Sequence, residues 1–200
     1  MIDTQEYVVD HQSLDEPRPL GVSGLLRCRN NADFLKKCIE SCIDALDELV
    51  VVFNHCKDKT EEIIYQMQEI YPDKIKIHPY EPFVYPINLT IEQYAEVMSL
   101  PSDSIHLMSG YSNYAISKTT YRHIIKIDAD QIYFKEKFIK LCSAYRATNK
   151  VKITLWECIA YNMHLAYCSS FRRKEMQNYL CQELLLKTIA DYRHIPLLEI

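Results

Sequence analysis

The chain has 200 residues, a hydrophobic fraction of 48% and a formal net charge of −4. That length suits one domain with at most a small appendage, and the apolar share is enough for a core. The acidic balance gives no footing for a nucleic-acid partner. Gly21, Gly24 and Gly110 are the three glycines, so a G-x-G-x-x-G or G-x-x-x-x-G-K loop is excluded and any phosphate must be held by metal, side chains or a helix N-terminus.

Residues 1–19 read as a polar, irregular arm closed by Pro17 and Pro19. The arm has no apolar core of signal-peptide type, and no stretch approaches the length of a membrane span. A cytoplasmic location is expected, and with it eight reduced cysteines, none in a C-x-x-C pair. Cys38 and Cys42, one helical turn apart, read as core rather than as zinc ligands.

Gly21 to Leu26 predicts a first strand, and Asn30 or Asn31 can cap the helix that follows. In that helix Phe34, Leu35, Cys38, Ile39, Cys42, Ile43 and Leu46 form one apolar stripe. Leu49 to Phe53 is apolar throughout, as in a strand buried on both faces. Asp58 and Glu61 suggest a capping box for a helix over 60–71, ended by Pro72. Lys74 to His78 alternates like a third strand. This order predicts an α/β fold with a mostly parallel central sheet and helices on both faces.

Residues 79–110, with Pro79, Pro82, Pro86 and Pro101, break the pattern. A helix near 91–99 is expected inside this insertion, whose length suggests a lid or substrate loop. A helix over 111–121, a strand over 123–128, a helix over 135–147, a strand over 151–157 and a final helix near 173–190 complete the chain. The core thus spans 20–150, and 151–200 forms a further segment, possibly truncated.

The strand 123–128 runs straight into Asp128-Ala129-Asp130. A buried strand ending in Asp-x-Asp puts carboxylates at the C-terminal sheet edge, where open α/β sheets bind ligands. Hard cations such as Mg²⁺ or Mn²⁺ share such oxygens with substrate phosphates, which points to a metal–diphosphate site. The plainer alternative makes Asp128 a cap and Asp130 a solvated loop residue. Strand one delivers Arg27-Cys28-Arg29-Asn30 to the same rim, and strand two delivers Asn54 to Thr60. Turn and cap roles would also explain Asn54 and Asp58, but the convergence favours a nucleotide site.

Several segments occur in an order that resembles bacterial sugar transferases of the GT-A fold. They are Leu26 to Asn30, Phe53 to Glu62, Ile70-Tyr71-Pro72, Tyr111-Ser112-Asn113-Tyr114 and Lys126 to Tyr133. The likeness is greatest to the β-1,4-N-acetylgalactosaminyltransferases of lipooligosaccharide synthesis and their capsule or lipopolysaccharide relatives. It covers roughly residues 20–140. The resemblance implies a UDP-sugar donor and an inverting transfer to a glycan or lipid-linked glycan acceptor. It places Cys28, Arg29, Asn54 and Asp58 around the nucleoside. It sets Asp128 towards ribose or sugar and gives Asp130, with Asp128, a Mn²⁺ or Mg²⁺ ion. Many relatives have an acidic residue where this chain has Asn54-His55.

Inversion needs a carboxylate base on the acceptor side. Glu157 is the first candidate and Asp191 the second, although either also suits a solvated surface. His164 is a further possible metal ligand or a plain loop histidine. Trp156, Tyr161 and Tyr167 could stack on an acceptor sugar. Arg172, Arg173 and Lys174 beside Phe171 could touch anionic lipid at the inner membrane or simply open a helix. Two other functions stay open: a nucleotidyltransferase, which would ordinarily show a Gly-rich first loop, and a degenerate transferase domain that binds without turnover.

Overall fold

The structure, a computed structural model, describes residues 4–10, 16–86, 89–147, 153–155, 158–160 and 167–171, with side chains through residue 147. Eight strands are β1 (Val22–Cys28), β2 (Glu48–Phe53), β3 (Ile75–Pro79), β4 (His123–Ile127), β5 (Gln131–Tyr133), β6 (Ile153–Leu155), β7 (Cys158–Ala160) and β8 (Tyr167–Phe171). Five helices are α1 (Ala32–Cys42), α2 (Thr60–Ile70), α3 (Ile91–Ser99), α4 (Met108–Ser117) and α5 (Lys135–Arg146).

The main sheet runs β3-β2-β1-β4-β8-β6. Its first four strands are parallel, whereas β8 is antiparallel to β4 and β6 antiparallel to β8. β5 and β7 form a separate antiparallel pair. The α/β reading therefore holds, with an antiparallel extension beyond β4.

The central strands are mostly apolar because both faces are covered. Leu26, Val51, Ile125 and Ile127 meet α1, α2 and α5 through Leu35, Ile39, Ile64, Met67 and Phe138. Leu25, Val50, Val52 and Ile124 meet α4 through Tyr111, Tyr114, Ala115 and Ile116. Cys38 and Cys42 are fully buried in the first of these cores. Tyr7, from a short 3₁₀ turn at Thr4–Tyr7, packs in the second core.

Several boundaries differ from the sequence expectation. β1 continues through Arg27 and Cys28, so these residues belong to the strand rather than to the turn after it. α4 starts at Met108 and ends at Ser117, three to four residues earlier than the apolar pattern suggests. Gly110 falls in the first turn of α4, where a Cβ would sit 2.3 Å from the Ser104 carbonyl oxygen. The glycine is there for close approach of helix and loop. The expected Asp58–Glu61 capping box is absent: Lys59 stands at the N-cap of α2 and its own side chain makes no cap hydrogen bond. A capping box does form at α3, between Thr90 and Gln93. The helix expected near 173–190 lies outside the described residues.

At the N-terminal edge of the sheet, Glu48 is 1% exposed. Its Oε1 accepts from Ser23 Oγ at 2.6 Å and from the Thr120 N–H at 2.5 Å, and its Oε2 accepts from Lys76 Nζ at 2.6 Å. One carboxylate thus ties β1, β2, β3 and the approach to β4. Burial alone would raise the Glu48 carboxyl, but the hydrogen bonds from Lys76, Ser23 and Thr120 outweigh it and hold it below the ordinary 4.5. A depressed carboxyl adds stability above its unfolded value and loses it as pH falls through the folded one. Glu48→Gln should cost about 1–3 kcal/mol at pH 7. Urea midpoints measured from pH 7 to pH 3 should converge for the two proteins at the acid end. A constant gap across that range would contradict this role.

Candidate functional site

β1 and β2 end at the same level, because Cys28 pairs with Phe53. Beyond them the chain turns sharply at Asn30 (φ 56°) and His55 (φ 42°), both in the left-handed region. That conformation is tolerated by Asn and His more readily than by most residues. Asn30 Oδ1 accepts from the Lys57 N–H at 2.7 Å and Thr60 Oγ1 accepts from the Asn31 N–H at 2.7 Å, which locks the two loops together.

An open cleft of about 230 Å³ lies at this edge, lined by Arg27, Cys28, Arg29 and Asn54 from the strand ends. Its opposite wall is Val84, Tyr85 and Pro86 of the insertion with Met108 and Tyr111 of α4. The volume falls below the roughly 300–1,000 Å³ of sites that enclose a drug-sized ligand, so the cleft suits part of an extended ligand rather than all of one.

Asn54 sets the shape of the cleft. It is 3% exposed, and its Nδ2 donates to the carbonyls of Tyr80 at 2.6 Å and Pro82 at 2.9 Å. Two carbonyl partners fix which end of the amide is nitrogen, so Asn54 can offer a ligand only its oxygen. The same bonds pin the insertion to β2. Tyr80 OH donates to the Ile105 carbonyl and Tyr111 OH to the Val52 carbonyl, and the Tyr7, Tyr80, Tyr111 and Tyr114 rings pack at centroid separations of 4.8–5.4 Å. The wall of the cleft therefore rests on a buried aromatic cluster.

Cys28 is 3% exposed and burial pushes its thiol well above the usual range. Arg29 is exposed on the rim. Asp58 does not line the cleft. Its Oδ1 accepts from the Thr60 N–H and its Oδ2 from the Ala32 N–H, each at 3.0 Å, so it caps two helix starts at once. Desolvation pushes its carboxyl up, but those bonds together outweigh it and hold it low. A carboxylate at helix N-termini also meets the positive end of each helix dipole.

Asp128 follows β4 and is half-buried, whereas Asp130 is exposed. Lys126 Nζ lies 2.5 Å from Asp128 Oδ1. The turn beneath the pair is held by Cys38 Sγ and the Gln131 N–H, which donate to the Asp128 carbonyl at 3.3 and 3.1 Å. Among the described residues nothing hydrogen-bonds or ion-pairs to Asp130, and no third His, Cys, Asp or Glu joins the two into a metal cluster. Divalent cations in phosphate sites commonly take one or two carboxylates and leave the rest of the shell to phosphates and water. The exposed Asp130 and its half-buried neighbour fit that donor set. Glu157, Asp191, His164, Trp156 and Tyr161 lie outside the described residues, as do Arg172 to Lys174. Tyr167 is described as strand backbone alone.

Arg27, Val84, Tyr85, Met108 and Tyr111 were not singled out as site residues by sequence. Arg27 stood in a basic run at a strand end, and Tyr111 in a recognisable Tyr-x-Asn-Tyr segment, but neither pattern says which face of the sheet they share.

A mostly parallel α/β sheet with helices on both faces, a cleft at its C-terminal edge and an acid pair at the end of the strand next to β1 is an arrangement of the GT-A class of fold. The model of the family described as Beta-1,4-N-acetylgalactosaminyltransferase (CgtA) matches residues 4–184, and the chain belongs to that family. No curated protein matches the chain. Among solved structures it is similar to a mycobacterial protein, at 16% identity over 71% of this chain and 41% of that one, with a TM-score of 0.43. It is also similar to S. aureus TarS 1–349 in complex with UDP, at 16% identity over 62% and 31%, TM-score 0.39. A third is Mycobacterium tuberculosis glucosyl-3-phosphoglycerate synthase with Mn²⁺, UDP and glucosyl-3-phosphoglycerate, at 17% identity over 60% and 36%, TM-score 0.35. The chain spans about two fifths or less of the length of these structures.

The anchoring of Asn54 has a direct consequence. Asn54→Asp keeps the size of the side chain but turns a donor into a carboxylate oxygen facing two carbonyls. It should destabilise the protein by about 1–3 kcal/mol at pH 7, read as a lower urea midpoint. An unchanged midpoint would contradict the anchoring role.

Proposed function

We propose that this chain is the donor-binding core of a metal-dependent, inverting glycosyltransferase that takes a UDP-sugar and serves a glycan or lipid-linked glycan acceptor. The observation that carries the reading is that β4 delivers Asp128 and Asp130 to the same sheet edge at which β1 and β2 open the Arg27–Asn54 cleft. Family membership over residues 4–184 supports the reaction class. Lipooligosaccharide, lipopolysaccharide or capsule is the proposed acceptor setting, at the cytoplasmic face of the inner membrane. Among the described residues no helix is long and apolar enough to cross a membrane.

Each residue has a chemical task on this reading. Cys28, Arg29 and Asn54 border the nucleoside, with the Asn54 oxygen available to a uracil ring N–H. Asp58 supports the loops behind it. Asp128 faces the ribose or sugar, and Asp130, with Asp128, holds Mn²⁺ or Mg²⁺. The bound ion supplies Lewis-acid stabilisation of the leaving diphosphate. Glu157, or failing it Asp191, takes the proton of the attacking acceptor hydroxyl as general base, a role that contributes about 10²–10⁴-fold.

Calorimetric titration of UDP in the presence and absence of Mn²⁺ tests the reading. Wild-type protein should bind UDP with Mn²⁺ and at least tenfold more weakly without it, an interval of about 1.4 kcal/mol. Asp130→Ala should remove the metal dependence while its circular dichroism spectrum stays unchanged. Metal-dependent binding that persists in Asp130→Ala would overturn the metal assignment.

A further inference from the structure

β1 alternates its side chains between the two cores: Leu26 and Cys28 enter the α1–α2–α5 side, Leu25 the α4 side. Arg27 follows Leu25 onto the α4 side. There its Nη1 donates to Ser112 Oγ at 2.5 Å and to Met108 Sδ at 3.2 Å, and the guanidinium carbon lies 5.5 Å from the Tyr111 ring centre. The Ser112 hydroxyl donates its own hydrogen to the Met108 carbonyl at 2.6 Å, which leaves its oxygen as an acceptor for Arg27.

These contacts use one of the three guanidinium nitrogens. Nε and Nη2 have no hydrogen-bond partner among the described residues, and neither is among the side-chain atoms sealed from solvent without one. That free edge belongs to a residue lining the cleft. No carboxylate lies within ion-pair distance of Arg27 among the described residues. Asp128 is next in register, since Leu26 pairs with Ile127, but its Oδ1 is held by Lys126. Burial lowers the Arg27 guanidinium from its ordinary value, with Tyr111 and Asp128 pushing it back up. A desolvated cation without a paired anion is costly to a fold, and a guanidinium fork matches an oxyanion in bidentate fashion.

We infer that Arg27 is the anion-binding residue of this cleft and that its Nε–Nη2 edge takes phosphoryl oxygens of the donor nucleotide. The inference rests on the nucleotide reading of the same cleft. Phosphoryl recognition would then be shared between the metal side, at Asp130, and a fixed cation on β1. Arg27 selects for the charged diphosphate, whereas the nucleoside contacts select the base.

The test compares uridine, UDP and inorganic pyrophosphate as ligands of the full chain, titrated calorimetrically in excess Mg²⁺, for wild type, Arg27→Gln and Arg27→Lys. Arg27→Gln should weaken UDP and pyrophosphate roughly 10- to 100-fold, as for loss of hydrogen bonds to a charged group, and leave uridine within about twofold. Arg27→Lys, which keeps the charge without the fork, should fall between. If Arg27→Gln does not fold, the Arg27 Nε–H resonance of the wild type serves instead: it should move with UDP and pyrophosphate and stay still with uridine. Tight UDP binding that is indifferent to Arg27→Gln, or an Nε–H resonance blind to pyrophosphate, would overturn the assignment while the nucleotide reading stands. UDP bound no more tightly than pyrophosphate, both through Arg27, would keep the anion site and sink the nucleotide reading.

Discussion

β1 lies between β2 and β4 in parallel register, and this pairing sets where Arg27, Cys28, Asn54 and Asp128 sit. Cys28 is level with Phe53, and Leu26 with Ile127. Arg27 is therefore level with Asp128, and Asn54 follows one step beyond the Cys28–Phe53 pair, so the three lie near the same sheet edge. Both faces of these strands are buried, so a slip of one residue would drive Arg27 into the α1–α2–α5 core and Leu26 towards α4. The cost of such a slip makes the placement robust. Glu48 pins the opposite edge, where its single carboxylate gathers β1, β2, β3 and the start of β4. The edge proposed to bind ligand and the edge that Glu48 stabilises are thus separate, as is usual in α/β sheets.

The sheet edge alone would be flat. It becomes a cleft because the insertion folds back across it and is fixed by hydrogen bonds to backbone carbonyls: Asn54 to Tyr80 and Pro82, and Tyr80 to Ile105. Behind these, the tyrosine cluster buries ring area and satisfies the Tyr80 and Tyr111 hydroxyls, the condition for placing tyrosine in a core. The abundance of tyrosine in the composition finds part of its explanation here. These rings build the support for the cleft wall as well as the wall itself.

The strands and helices from residue 22 to 146 were legible because their apolar periodicity is strong, and Asp128 and Asp130 were placed correctly at the end of β4. Failures came where the deciding force was not periodic. β5 is three residues long, too short to carry a pattern. Gly110, at the end of the stretch read as an irregular insertion, falls inside α4 and serves close approach to Ser104. Asp58 reads as the cap of one helix, yet its second oxygen reaches Ala32, 26 residues away in sequence. Arg27 reads as one of several basic residues at a strand end. Its significance depends on Ser112 and Met108, whose approach from α4 is a tertiary event.

The central claim is that one nucleotide spans the cleft from Asn54 to the acid pair. A crystal structure of the protein grown with UDP and Mn²⁺ tests it most directly. The account predicts uracil against Asn54, phosphoryl oxygens on Arg27, and the metal on Asp130. Nucleotide density elsewhere on the molecule, or a diphosphate that reaches neither Arg27 nor Asp130, would contradict it.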